Sequence, residues 1–367
     1  MKIGLILDDS LDPTDGVQQY ALTFGRWLTT QGHEVHYLVG ETTRTDIANV
    51  HSLSRNVKVR FNGNRMRMPL PTSREKLGAF LEAERFDVLH IQMPYSPWLG
   101  GRLLEAAPAH TKIVATFHIV PNGAVADIAN KCLAVWTRRS ARRISQVIAV
   151  SQAAADFCKK TYGLRSVVLP NVVDASRYAV AKQPNPVPHI IFLGRLVPRK
   201  NAITLLKALE SLTTHEYCVT IAGDGPLRGN LEQYVKQKNI KNVSFTGYVD
   251  EAEKPRLLAS ADISVFPSLG GESFGIVLVE AMASGASVVL AGDNVGYRGV
   301  MADTPDVVFQ PADHHELAIK IQYYLDHPDK RNAIAKLQAR HARQYDPTAV
   351  GPAIIDIYNS ELQATEQ

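Results

Sequence analysis

Short β-branched apolar runs alternate with longer helix-like segments along most of the chain, and that alternation leaves few folds open. The runs are Lys2–Leu7, Glu34–Val39, Val57–Phe61, Asp87–Ile91, Lys112–Phe117, Gln146–Val150 and Val167–Leu169. After a break come His189–Leu193, Cys218–Ala222, Val243–Phe245, Ile263–Phe266, Ala286–Leu290 and Asp306–Phe309. Strands that are apolar throughout and separated by helices belong to parallel sheets covered on both faces. Seven strands and then six predict an α/β chain of two doubly wound, Rossmann-like domains. The break, VVDASRYAVAKQPNPVP at 172–188, carries three prolines between 184 and 188 and reads as a linker. We expect domains at 1–178 and 188–345, with 346–367 a helix packing back toward the first. A length of 367 residues suits two domains.

Composition narrows the class. Hydrophobic residues make up 45% and charged residues 21%, ordinary for a globular chain. A net charge of +4 is too small to argue for nucleic acid. Cys132, Cys158 and Cys218 lie far apart, with no CxxC spacing. Neither a disulfide framework nor a zinc site is expected, and a reducing compartment is the default. The opening MKIGLILDD reads as a first strand rather than a signal peptide. The run Gly275–Gly292 includes Glu280 and many small residues, which argues against a membrane span. A cytoplasmic protein follows, with peripheral contact to the inner membrane face left open.

Ligands of open parallel sheets bind outside the carboxyl ends of strands, so the loops there carry the information. LGGESFGIVLVEAMASG, 269–285, follows Ile263–Phe266. Gly270 and Gly271 allow close backbone approach. If Glu272 and Ser273 open a helix, the amides of Ser273, Phe274 and Gly275 are left for a phosphate. Glu272 and Glu280 would then lie about 12 Å apart along one side of that helix. Acids beside an anion should contact neutral hydroxyls, such as a ribose and a hexose flanking a diphosphate. The bland alternative is a helix with an acidic first turn.

This segment resembles the E-x7-E signature of retaining glycosyltransferases with two facing Rossmann-like domains, the GT-B fold. It is most similar to the phosphatidylinositol mannosyltransferases of bacterial envelopes. The resemblance implies Glu272 at the donor sugar hydroxyls and Glu280 on the ribose. It implies Ser273, Phe274 and Gly275 on the diphosphate, with Ile276 also among the donor-binding residues. In FLGRLVPRK it implies Arg195 and Lys200 beside the diphosphate, where two cations offset its charge and assist departure without a metal ion. Arg199 fits the pattern less well, and Asn201 stands where the family usually has Gly. AGDGPLRG, 222–229, lacks the GxGxxG spacing and reads as a strand-to-helix turn. In TGYVDEAEK, 246–254, the resemblance puts the backbone of Tyr248 and Val249 against the nucleobase. There Glu251 and Lys254 occupy positions like the guanine-reading ones, which favours GDP over UDP.

In the first domain, Lys2–Leu7 runs into DDSLDPTDGVQQYALTFGRWL, where Tyr20, Phe24 and Leu28 share a helical face. The family has a Gly-Gly loop here that reaches the diphosphate; this chain has Asp15 and Gly16. VATFH ends in His118, which the resemblance puts by the anomeric carbon and donor phosphate, orienting the acceptor or polarising the sugar. No second carboxylate pair supports double displacement. The family suggests front-face substitution, with the leaving phosphate accepting the acceptor's proton. Arg65, Arg67, Arg74 and Lys76, interleaved by Met66, Met68 and Leu70, form one basic cluster; Arg138, Arg139, Arg142 and Arg143 form another. Either is a solvated face or an anchor on an anionic membrane surface. FNGNRMRMPLPTSREKLGAF, 61–80, resembles the family's membrane-facing basic amphipathic helix, and Phe61, Asn62 and Gly63 match a stretch by the inositol pocket. Asp9 replaces an expected aromatic acceptor contact. The expected partners are therefore a nucleotide sugar, GDP-mannose first, and a lipid acceptor such as phosphatidylinositol. No nucleic acid and no metal or other cofactor is expected. Three alternatives stay open: a UDP-sugar transferase with a soluble or polyprenyl-linked acceptor, a nucleotide-sugar 2-epimerase on the same fold, and a catalytically silent binding module.

Overall fold

The computed structural model describes residues 1–367 except 13–14, 62–63, 122, 183–184, 213–215 and 361–367; of 58–61, 64–67 and 124–125 it describes the backbone alone. Two units form. One holds Met1–Val172 with the chain from Pro347 on, the other Val173–Asp346.

The first unit carries β1 (Lys2–Leu7), β2 (Glu34–Val39), β3 (Val50–Ser52), β4 (Asn56–Phe61), β5 (Asn64–Pro69), β6 (Val88–Gln92), β7 (Lys112–Phe117), β8 (Gln146–Ala149) and β9 (Val167–Val168). Its parallel sheet has the order β3-β2-β1-β6-β7-β8-β9. The run Val57–Phe61 is not in that sheet, contrary to expectation. It lies in β4, which pairs antiparallel with β5 as a separate hairpin. Its sequence VKVRF alternates apolar and basic residues, a pattern for a strand with one wet face rather than a strand covered on both. The seventh strand is β3, whose residues VHS are too few and too polar to register as an apolar run.

The helix Gly16–Thr30 covers β1 because Tyr20, Phe24 and Leu28 recur every fourth residue and all are buried. The last helix, Pro347–Asn359, packs beside it and adds Val350, Ile354 and Tyr358 to the same core. Gly351 is needed there: a Cβ would lie 2.3 Å from the Trp27 ring. His90 ties this helix to the sheet, bonding Tyr358 Oη and Thr116 Oγ1, each at 2.6 Å. Burial pushes the His90 imidazole down to about 3, so it stays neutral.

The second unit carries β10 (His189–Leu193), β11 (Cys218–Ala222), β12 (Val243–Gly247), β13 (Ile263–Phe266), β14 (Val288–Gly292) and β15 (Val308–Phe309), all parallel, in the order β12-β11-β10-β13-β14-β15. These are the six strands the sequence predicts, with ends shifted by up to two residues. The stretch read as a linker contains a helix, Ala175–Tyr178, capped by the Asp174 side chain. It is also pinned to this unit by Lys182, whose Nζ lies 2.7 Å from Asp262 Oδ1.

Each sheet reverses strand order once, between β1 and β6 and between β10 and β13. In each unit taken by itself, a ligand site is expected at the carboxyl ends of the two strands at that reversal. The segments leaving them are 8–15, 93–98, 194–201 and 267–275.

Candidate active site

Gly194–Asn201 leaves β10 and turns sharply. Pro198–Lys200 form a single 3-10 turn, and Asn201 adopts a left-handed conformation with φ 55°. Glycine meets that demand at no cost, and asparagine is one of the few other residues that tolerates it, which explains how Asn stands where the resemblance leads one to expect Gly. The Asn201 amide also donates to the Pro311 carbonyl at 2.6 Å, fixing the turn.

Ser268–Gly275 leaves β13 and lies against that turn, with Leu269 N–H donating to the Arg199 carbonyl at 2.8 Å. The helix begins at Ile276, with Gly275 as its cap at φ 95°. Glu272 therefore lies in the loop, and the expectation that Glu272 and Glu280 share one helix is corrected. The physical reason is Gly275, whose left-handed backbone interrupts the turn between the two acids. The expected amides remain: among the described residues no protein group accepts from the N–H of Ser273, Phe274 or Gly275. Phe274 itself is buried edge-on against Tyr345, which anchors the loop.

Glu272 is 9% exposed. Its Oε1 accepts from Lys200 Nζ and Ser268 Oγ, both at 2.9 Å, and from Arg199 Nη1. Burial works against its ionisation, but Lys200 and Arg199 outweigh it and hold the carboxyl below its ordinary range. Arg195 sits half-buried on the same segment. Arg199, which the sequence pattern ranks below Arg195, is thus one of the two cations on Glu272. Gly296 matters equally, and sequence reading missed it. A Cβ there would lie 2.1 Å from the Glu272 carbonyl oxygen, so only glycine lets the 294–298 loop press against Glu272. Asn294 shapes that loop by accepting from Gly296 N and Tyr297 N at 3.2 and 3.1 Å.

Glu280, 4% exposed, lies in the helix Ile276–Ala283 and centres a second cluster. It accepts from Tyr178 Oη at 2.7 Å and from Lys254 Nζ at 2.8 Å. Lys254 also contacts Glu251 Oε1 at 2.7 Å, and Arg177 Nη1 lies 3.6 Å from Glu251 Oε2. Burial alone would lower the Lys254 ammonium, but Glu280 and Glu251 raise it above its ordinary value. The structure therefore joins Glu280, which sequence reading assigned to the ribose, to Glu251 and Lys254, which it assigned together to the base. It adds Arg177 and Tyr178 from the supposed linker, for which spacing offers no signal. Tyr248 is 63% exposed beside this cluster in sequence, and Val249 is half-buried.

In the first unit, His118 follows β7 and its Nε2 lies 2.7 Å from Gln92 Oε1 at the end of β6. Burial pushes its imidazole down to about 3, which neighbouring Asn171 offsets only in part. A neutral ring held by a carboxamide can orient or polarise, and is a poor proton carrier at pH 7. Tyr20 packs edge-on against it at 4.9 Å. Gly16 is the first residue of its helix, exposed, with Asp15 as a cap that makes no side-chain bond. Asp8, which sequence reading passed over, is buried at the end of β1. Its Oδ1 accepts from Gly100 N at 3.3 Å, while Oδ2 has no partner among the described residues. Burial pushes this carboxyl up to about 7, Asp9 adds to the rise, and the Gly100 amide opposes it. Asp9 accepts from Ser10 N at 2.6 Å and from Gln18 Nε2 at 3.4 Å.

The basic clusters resolve unevenly. The side chains of Phe61, Arg65, Met66 and Arg67, and all of Asn62 and Gly63, lie outside the described residues. The helix Arg74–Glu84, REKLGAFLEAE, carries two cations and three acids, so it is not a basic helix. Arg74 pairs with Glu105, and Arg143 donates to the Ala107 carbonyl at 2.8 Å. Among the described residues the one group with metal-ligand composition is His36, His51 and Glu84, and none of the residues assigned to sugar chemistry belongs to it. No described helix is long and apolar enough to cross a membrane.

Residues 14–177 match the family model described as "Glycosyltransferase Family 4", and residues 179–341 match "Glycosyl transferases group 1". A phosphatidyl-myo-inositol mannosyltransferase of Mycolicibacterium smegmatis is 32% identical, covering 98% of this chain and 94% of its own. One from Propionibacterium freudenreichii is 30% identical over the same shares. Among solved structures, a glycosyltransferase from Rickettsia africae superposes with a TM-score of 0.76 at 16% identity, covering 99% of both chains. Anabaena HepE in complex with UDP-glucose does so with a TM-score of 0.76 at 20% identity, covering 97% of this chain and 99% of that one.

Proposed function

We infer the reaction from family, because this chain belongs to the group 1 glycosyltransferases of the two-domain GT-B type. It is a hexosyltransferase acting on a lipid acceptor. Our finer reading is that it moves mannose from GDP-mannose to phosphatidylinositol or a closely related lipid, at the cytoplasmic membrane face, with retention and without a metal ion. The observation that carries the reading is the pair of buried acid–cation clusters, Glu272 with Lys200 and Arg199, and Glu280 with Lys254 and Glu251. Support for the acceptor comes from relatives that are phosphatidyl-myo-inositol mannosyltransferases over nearly their full length.

In this reading Lys200, Arg195 and Arg199 take the donor diphosphate, and the amides of Ser273, Phe274 and Gly275 complete its cradle. With its cations drawn to the phosphates, Glu272 is released to accept from the hexose hydroxyls. Glu280 accepts from the ribose, and Glu251 with Lys254 reads the base beside Tyr248 and Val249. The bond from the anomeric carbon to the phosphate oxygen breaks, and the acceptor oxygen bonds to the same face. The departing phosphate oxygen takes the acceptor's proton, and the cations stabilise its charge. By resemblance, His118 orients the acceptor and Gly16 belongs to the loop that contacts the diphosphate.

A panel of nucleotide sugars offered with phosphatidylinositol vesicles tests this, with nucleotide release and glycolipid read by mass spectrometry. GDP-mannose should give the fastest turnover and an α-linked product. A faster UDP-sugar would overturn the donor assignment. An altered sugar still attached to its nucleotide would mark an epimerase instead.

A further inference from the structure

Five titratable side chains converge at one end of the first sheet, away from the segments assigned to sugar chemistry. In the strand register Lys2 pairs with Glu34, Gly4 with His36 and Leu38 with His51 of β3. Side chains alternate along a strand, so Lys2, Glu34, His36 and His51 share one face of the sheet. The helix Arg74–Glu84 covers that face with Leu77 and Leu81, and its last turn sets Glu84 beside the histidines. Lys2 and Glu34 are the first residues of β1 and β2, so this end of the sheet is opposite the carboxyl ends where ligands are expected. His36 is 6% exposed. Phe86 and Phe80 stand edge-on to the His36 and His51 rings, at 5.3 and 5.0 Å, and fix both.

The hydrogen bonds select the chemistry. A carboxylate only accepts, so His36 Nε2, 2.8 Å from Glu34 Oε1, carries the ring hydrogen. His36 Nδ1 then holds a lone pair, and it faces His51 Nε2 at 2.8 Å. One ligand-type atom from each of His36, His51 and Glu84 lies within 4.8 Å of the other two. Two imidazoles and a carboxylate are a donor set for a first-row divalent ion, Zn2+ foremost, whereas Ca2+ and Mg2+ prefer oxygen shells. Glu34 behind His36 is the outer carboxylate that aligns a metal-bound ring. To take the ion, His51 moves its proton from Nε2 to Nδ1, and the two facing nitrogens part by about 0.5 Å to reach tetrahedral Zn–N distances. His51 belongs to an edge strand of three residues, where such a shift strains few bonds. Lys2 Nζ, 2.7 Å from Glu84 Oε2 and 3.3 Å from Glu34 Oε1, is the competing cation. One ammonium between two carboxylates leaves a net negative charge that attracts a divalent ion.

We propose that His36, His51 and Glu84 bind one Zn2+, with solvent at the fourth position. The ion closes the stretch from His51 to Glu84, which holds the β4–β5 hairpin. The site takes no part in the reaction proposed above and does not rest on it. The test uses the full chain without an affinity tag, stripped of metal with a chelator. Zn2+ should bind in calorimetry at one per chain with a Kd of about 1 μM or lower. Co2+ should bind with the visible absorption of a tetrahedral ion, and Ca2+ and Mg2+ should not bind. All three tryptophans lie in the first unit, so melting followed by fluorescence reads the ion's effect there. At about 100 times Kd, Zn2+ should raise that midpoint by about 5–10 °C. H51A and E84Q should each weaken binding at least about tenfold while keeping the wild-type circular dichroism, and E34A should weaken it by about 10–100-fold through the His36 ring. K2Q should tighten binding, because the competing ammonium is gone. No saturable Zn2+ binding by the wild type up to about 100 μM overturns the proposal. So does wild-type affinity in both H51A and E84Q, or weaker binding in K2Q.

Discussion

Replacing Lys254 by methionine tests whether the Glu280 cluster is held by charge. Methionine keeps most of the apolar stem and removes the ammonium that contacts Glu280 at 2.8 Å and Glu251 at 2.7 Å. Glu280 is 4% exposed, so it would be left buried with only the Tyr178 hydroxyl as a partner. Glu251 would keep Arg177 at 3.6 Å. Removing one partner of a buried pair costs about 3–5 kcal/mol, and the remaining Arg177 puts this case near 3. That is a large share of the roughly 5–15 kcal/mol that holds a domain folded. Adding E280Q removes the stranded charge while its carbonyl still accepts from Tyr178. The double variant should therefore recover to within about 1 kcal/mol of wild type, about 2 kcal/mol above K254M. All three tryptophans, Trp27, Trp98 and Trp136, belong to the first unit, so fluorescence reports the wrong transition. Hydrogen exchange over the helix Ile276–Ala283 reads the right one. A loss below about 1 kcal/mol in K254M, or a double variant weaker than K254M, would refute charge compensation as the organising principle. Both variants should bind GDP poorly, the double variant despite its restored fold, which separates recognition from stability.

Three further outcomes are expected. Asp8 ionises near 3.8 in a free chain and at about 7 here, so its folded state loses stability as pH rises from about 4 to about 7. D8N should match wild type at pH 4 and exceed it by up to about 4 kcal/mol above pH 7; a gap independent of pH in urea titrations would contradict the buried carboxyl. G296A should displace Glu272 and cut transfer at least tenfold, since its Cβ would meet the Glu272 carbonyl oxygen at 2.1 Å; wild-type kcat would show that the loop yields freely. H118A should lower kcat strongly while GDP affinity in calorimetry stays within about threefold of wild type, a change under about 1 kcal/mol; normal turnover would remove His118 from the reaction.

What the sequence determined was mostly local or periodic. Ten of the thirteen expected main-sheet strands began within one residue of their place, because runs such as IIFL or IVATF, buried on both faces, have no other stable use. The glutamate motif, its loop amides and the cation-bearing loop were legible because each is a short segment at a strand end. The sequence could not decide which residues meet. Whether Arg195 or Arg199 reaches Glu272 depends on how the turn at Asn201 aims two side chains, and Gly275 alone breaks the helix that would have joined Glu272 to Glu280. Tyr178, Arg177 and Gly296 enter the site from segments distant along the chain, and nothing in their own neighbours signals it. The exposure of Ile128, Val135 and Trp136 on the helix Ala124–Trp136 was hidden for a related reason. Periodicity shows that a helix has an apolar face, but only packing decides whether that face turns inward.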